Sequence, residues 1–124
     1  MSTHSAIIVK VSDKVYKGIY CHWDGYPNGV GETLKDKFNT KAKALKIVAL
    51  GDCSKICLCE RINPIGEHSY EKPEEGTIIA YHRDRGEEFN QYVGTTWKEV
   101  AKQIDHEYAY VWNNDRWLTK KAKD

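Results

Sequence analysis

The sequence predicts an α+β fold in which about three helices pack on a mainly antiparallel sheet of about five strands, two hairpins and a central strand. Three observations carry this expectation. Both ends of the chain hold paired runs of β-branched and aromatic residues around short polar turns. Between them, apolar residues recur at helical spacing. The resulting order is strand, strand, helix, helix, irregular, strand, helix, strand, strand, with no repeated βαβ unit. A chain of 124 residues suits one domain, 1–124, because two cores of half this size would each bury too little surface.

Ala6–Val11 and Val15–Trp23, separated by Ser12, Asp13 and Lys14, read as the first hairpin. The period of two places Val15, Ile19, Cys21 and Trp23 on a core face and Tyr16, Tyr20 and His22 on the other. After Pro27, the spacing of Val30, Leu34 and Phe38 predicts a short helix. Thr40 caps a second helix through Leu50, apolar at Ala42, Leu45, Val48 and Ala49, with Gly51 just beyond its end. Asp52 to Gly76 is punctuated by Pro64, Gly66, Pro73 and Gly76 and reads as an irregular loop region, the most mobile segment expected of the chain. Thr77–His82 reads as the buried central strand. Thr96 and Glu99 form a capping box for a helix from Trp97 to about Asp105, with Trp97, Val100, Ala101 and Ile104 inward. Tyr108, Tyr110 and Trp112 alternate with Ala109 and Val111, and the turn NNDR leads into Trp117 and Leu118, a second hairpin with an aromatic face. That face is core, or less expectedly a platform for stacking bases.

Nineteen basic and 18 acidic residues leave a formal charge of +1, so no overall field favours nucleic acid, and direct binding to it is the weaker expectation. Basic residues concentrate only at 35–46 and 116–123. No apolar run is long enough to span a membrane and the N-terminus has no secretory pattern, which predicts a cytoplasmic protein. Cys21, Cys53, Cys57 and Cys59 are then expected as free thiols. Their spacing lacks paired C-x-x-C knuckles, so neither a metal nor a cofactor is expected.

Two stretches gather chemistry. In YCHWDGYPNGVG, Gly25, Gly29 and Gly31 would let an anion approach freed backbone amides, with Tyr26 beside it. The plainer reading is that they supply positive φ angles in a tight connection. His22 and Asp24, two apart in an extended chain, would share a side, so that the carboxylate orients the imidazole. In YHRDRGE, His82, Arg83, Asp84 and Arg85 end the expected central strand; if the two strands adjoin, these residues converge with His22 and Asp24 on a phosphate-like ligand. The plainer reading here is a set of surface ion pairs.

CHWDGYPNGVG, ALGD, AYHRDRGE and YAYVWNNDRW, in that order, resemble a family of small proteins encoded by bacteriophages, prophages and their hosts, for which no activity is established. The likeness runs from about Tyr16 to Trp117, and the cysteine cluster lies outside its pattern. The resemblance implies a mobile-element setting, a bacterial host cytoplasm and action on host machinery or host defence. The expected function is binding, either to a host protein or to an anionic, nucleotide-like ligand held by the glycine turn, Asp24, Tyr26, Arg83 and Arg85. The alternative is a metal-independent enzyme acting on a phosphoester, with His22 or His82 as acid and base and the arginines stabilising charge.

Overall fold

The computed structural model describes residues 3–122. β1 (Ser5–Ser12) and β2 (Val15–Cys21) form the first hairpin, with Ile7 opposite Ile19 and a register shift between Lys10 and Ser12. β6 (Tyr108–Asn113) and β7 (Arg116–Lys121) form the second, closed by Asn114 and Asp115 at φ 54° and 61°. Two successive left-handed residues give the turn whose twist matches a hairpin, and Asn and Asp tolerate it best after glycine.

Three short strands complete the sheet: β3 (Cys53–Lys55), β4 (Ile79–Ala80) and β5 (Tyr92–Gly94). The order is β4-β3-β2-β1-β6-β7, with β5 also on β2, giving seven strands. The sheet is mixed, against the expectation of a mainly antiparallel sheet of about five strands. β1 pairs β6 in parallel and β2 pairs β3 in parallel, while the other pairs are antiparallel. Alternation of side chains is the same in both directions, and strands of two or three residues are too short to show a period. Ala6, Ile7, Ile8 and Val9 are fully buried, which marks β1 as a central strand covered on both faces.

On one face, Ile7, Val9, Ile19, Cys21, Tyr110, Trp112 and Trp117 pack against α1 (Glu32–Lys37) and α2 (Lys41–Val48). α2 begins as expected, with Thr40 Oγ1 accepting from Lys43 N–H at 3.1 Å, and Gly51 follows it at φ 79°. Its inward stripe is Ala44, Ile47 and Val48. Ala42, Leu45 and Ala49 face solvent instead, since two helical stripes fit this sequence and the larger β-branched pair is the one buried.

On the other face, Ala6, Ile8, Ala109 and Val111 meet Val100 and Ala101 of α4 (Trp97–Lys102) and Ile104 just beyond its end. Thr96 Oγ1 caps α4 by accepting from Glu99 N–H at 3.2 Å, and Glu99 Oε1 accepts at 2.7 Å from the N–H of Thr95, one residue earlier than a simple capping box reaches. The expected central strand Thr77–His82 is mostly something else: β4 covers only Ile79–Ala80 and the chain turns into α3 (Tyr81–Arg85), so His82 is helical. Asp84 drives this turn, its Oδ2 accepting from Ala80 N–H at 2.8 Å at the helix start. No helix among the described residues is long and apolar enough to cross a membrane.

α4 approaches the sheet over Gly18, where a Cβ would lie 2.6 Å from Val100 Cγ1 and 2.9 Å from Ile8 Cγ1. Gly18→Ala is therefore expected to lose about 1–3 kcal/mol in urea denaturation, whereas Gly66→Ala, with only Glu74 Oε1 at 3.6 Å, should stay within about 0.5 kcal/mol of wild type.

Candidate functional site

The turn from Trp23 to Gly31 is built from contacts within the chain. β2 ends at Cys21, His22 and Trp23 donate their N–H groups to Cys53 and Ser54 carbonyls at 3.1 Å, and Asp24 turns the backbone at φ 55°. Trp23 is consequently 46% exposed, not in the core as alternation had suggested. The same left-handed residue separates Asp24 from His22: Asp24 Oδ1 accepts from Tyr26 Oη at 3.0 Å, while His22 Nδ1 lies 2.7 Å from Tyr20 Oη. The expected His22–Asp24 pair gives way to two tyrosine contacts. That contact with Asp24 also raises the Tyr26 hydroxyl pKa.

None of Gly25, Gly29 and Gly31 has a positive φ, so the plain reading of them is corrected too; what each requires is space. A Cβ at Gly25 would sit 2.7 Å from Thr3 O, one at Gly29 2.4 Å from Asp24 O, and one at Gly31 2.8 Å from the Tyr110 ring. Their amides are engaged internally, Gly25 N–H on Thr3 O, Gly29 and Gly31 N–H on Tyr26 O. Tyr110 Oη donates to Gly25 O at 2.6 Å from the core. This leaves no open amide nest for an anion at these three positions.

A residue outside both motifs completes the surroundings of His22. Extending the β1–β2 register by one step places His4 opposite it, and the two imidazoles stack at 4.9 Å between ring centroids. His4 Nδ1 contacts Asp105 Oδ2 at 2.9 Å, and Trp23 stands edge-on to His22 at 4.5 Å. Burial, with repulsion from Tyr81 and Asp105 adding, pushes the Tyr20 hydroxyl up to about 12. His4, Asp105, Tyr20, His22 and Trp23 thus form one aromatic and ionisable cluster at the end of the sheet.

The second motif does not join it. His82 Nδ1 lies 2.8 Å from Glu87 O and its ring meets Phe89, so His22 and His82 share no hydrogen-bond or ring partner among the described residues. Arg83 is turned inward: it donates to Ile62 O at 2.8 Å, Ile78 O at 2.7 Å and both oxygens of Asp84. His68 Nε2 lies 3.0 Å from Asp84 Oδ2, both side chains at most 3% exposed, while its Nδ1 accepts from Glu74 N–H at 2.9 Å. That acceptor role leaves the ring proton on Nε2, facing the carboxylate. Arg85 pairs with Glu87 at 3.0 Å and lies 4.5 Å over the Tyr70 ring. Arg83 and Asp84 therefore pin the 61–78 stretch to α3, and Arg85 clasps its Tyr70.

Asp52 is the other polar residue that residue-type reasoning passed over. Its Oδ1 accepts from Tyr20 N–H at 2.9 Å, its Oδ2 from Tyr92 Oη at 3.4 Å, and its carbonyl from Tyr81 N–H at 3.1 Å. Burial raises its pKa against the lowering effect of those donors. The four cysteines are free and buried, and burial raises every one of their thiols, Cys21 to about 12 and Cys59 to about 11. Among the described residues no group of three or more His, Cys, Asp or Glu is placed to hold a metal ion.

The loop after β3 adds an apolar feature. Ile56, Cys57 and Cys59 are buried, but Leu58 between them is 82% exposed and held at φ 64°, its N–H on Thr33 Oγ1 at 2.9 Å. Thr33 Oγ1 in turn donates to Gly29 O, which ties Leu58 to the glycine turn. A left-handed leucine costs about 1–2 kcal/mol, so buried neighbours must hold it there. No family model, curated protein or solved structure matches the chain.

Two stability measurements test these assignments. Asp52→Ala removes the acceptor of a partly buried amide and should cost about 1–3 kcal/mol, while Asp52→Asn keeps an acceptor and removes a buried charge. A carboxylate with a raised folded pKa opposes folding increasingly as pH climbs through its unfolded value, so the Asn variant should match or exceed wild type near neutral pH and lose that advantage in acid. Arg83→Ala leaves Asp84 buried beside a missing cation and should cost about 3 kcal/mol near neutral pH. Burial opposes ionisation of Asp84, yet the donors from Arg83, Ala80 and His68 leave its pKa lowered. The stability this contributes is present above the unfolded value of about 4 and lost as pH falls through the folded one, so the Arg83→Ala deficit should shrink there in a pH series of urea titrations.

Proposed function

We propose that the protein acts by binding a partner protein, through the surface where the 23–31 turn meets the 56–60 loop. The observation that carries this reading is the exposure of Trp23, Tyr26 and Leu58 on a backbone held from below by buried residues. Trp23 N–H reaches Ser54, Leu58 N–H reaches Thr33, and Thr33 reaches Gly29, so turn and loop are laced together rather than adjacent by chance. Preset aromatic and aliphatic side chains lose little entropy on docking and supply most of the energy at the centres of interfaces.

The anionic-ligand reading loses support from the same geometry, because the glycine amides and Arg83 are engaged inside the chain. The enzyme reading needed His22 and His82 to act on one substrate, and their contacts are separate. In the phage or prophage setting that the sequence resemblance implies, the partner is a host protein, and the activity is host takeover or inhibition of host defence.

Capture of partners from host lysate, followed by calorimetry on each purified pair, tests the surface. Trp23→Ala and Leu58→Asp are each expected to weaken a genuine pair about tenfold or more while thermal melting stays cooperative. Unchanged affinity in both variants would overturn the reading. A melting temperature raised by nucleotides, and lowered again by Arg85→Ala, would return the function to an anionic ligand.

A further inference from the structure

Leu58 stands between two depressions, and their charges differ in one respect. The larger, about 500 Å³, is lined in part by Arg61 and Glu74, which satisfy each other and their neighbours. Arg61 donates to Glu75 O and Thr77 Oγ1 at 2.8 Å, and Glu74 accepts from the N–H groups of Ile65 and Gly66 and from the Thr77 hydroxyl. The smaller, about 250 Å³, lies between α1 and residues 58–60 and is lined by Glu32, Asp36 and Glu60, with Lys37 the one cation among the described residues that line it. None of these three carboxylates is in an ion pair among the described residues.

Glu32 and Asp36 are one turn apart on a six-residue helix, so the two like charges repel, while Glu32 gains from its place in the first turn. Glu60 approaches from the loop on the other side, beyond buried Cys59. The groove therefore combines an apolar edge, Leu58, with three carboxylates against one cation, Lys37.

We propose that this groove receives a basic segment of the partner protein, an Arg or Lys entering between α1 and Glu60 while an adjacent apolar side chain packs on Leu58. A guanidinium suits two carboxylate sources at once, since its fork donates in more than one direction. Charge complementarity selects this occupant over the alternatives. A second copy docked through the same patch would bring the acidic linings together, and nucleic acid or an anionic lipid surface would meet repulsion. The inference rests on the reading of this surface as a partner interface and adds the chemistry of what binds there.

The test is a chemical-shift titration of the isotope-labelled protein with three peptides in a common Gly/Ser frame, carrying Leu-Arg-Leu, Leu-Glu-Leu or Ser-Arg-Ser at the centre. The Leu-Arg-Leu peptide is expected to move the amides of Glu32–Lys37 and Leu58–Glu60 and to bind about tenfold more tightly than Leu-Glu-Leu, with affinity falling between about 50 mM and about 300 mM salt. A double variant, Asp36→Lys with Glu60→Lys, should remove that preference, whereas Asp13→Lys in the exposed β1–β2 turn should leave it intact. Equal binding of the Arg and Glu peptides at these amides, abolished by Leu58→Asp, would overturn the basic partner and leave the interface standing. Shifts confined to other parts of the molecule, or none with any peptide, would overturn both.

Discussion

The outer edge of β2 is shared, and one carboxylate makes the sharing workable. β5 pairs along Tyr16 to Gly18 and β3 takes over only at Cys21, so the amide of Tyr20 falls in a gap between two strands. Asp52 fills that gap with a side-chain oxygen while its own backbone joins Asn90, on the approach to β5, to Tyr81 at the start of α3. A buried amide without an acceptor is costly, so the short strands on either side can exist only if something other than backbone reaches it. β3, β4, α3 and the 56–60 loop all inherit their position from this arrangement. A half-buried carboxylate is the accepted disadvantage, visible in its raised pKa.

Most of the polar groups that residue type marks as reactive are engaged within the chain here, and exposed apolar side chains stand on the turn and the loop. Arg83, Asp84 and His68 behave as a buried bracket that replaces regular structure in the 61–78 stretch. The glycines of the turn exist for close approach, with Tyr110 rising through the core to hold Gly25. Trp23, Tyr26 and Leu58 are then presented on a frame with few degrees of freedom. A frame of this kind suits the recognition role proposed for it, since recognition gains from preorganisation.

The sequence made the two hairpins, both helix caps and the apolar alternation of β2 and β6 legible, because each depends on near neighbours. Strand direction was not legible, nor were β3 and β5, which owe their existence to long-range pairing and to Asp52, and of the expected strand Thr77–His82 only Ile79–Ala80 is strand. The candidate site was half legible. His22, Trp23 and the glycine turn belong to it, but His4 does not follow from the hairpin read from its turn: Ser12 pairs with Val15, a register that would bring His4 opposite Trp23, and a one-residue shift before Lys10 brings it to His22 instead. The end of β2 at Cys21 likewise stops the alternation that had placed Trp23 in the core. Leu58 carried no signal at all, since an exposed leucine in a loop is recognisable only from the burial of its neighbours.

The parallel pairing of β1 with β6 has a consequence in time. Ser5 aligns with Tyr108 and Val9 with Trp112, so β1 is flanked on its second edge by a strand that follows it far along the chain. Contacts this distant along the chain form slowly, and until they form the β1–β2 hairpin carries an open edge beside an unfilled core. Tyr110, whose hydroxyl fixes Gly25 and whose ring shapes the floor at Gly31, arrives with that late strand. The surface proposed to meet a partner therefore takes its final shape only once β6 has joined the sheet.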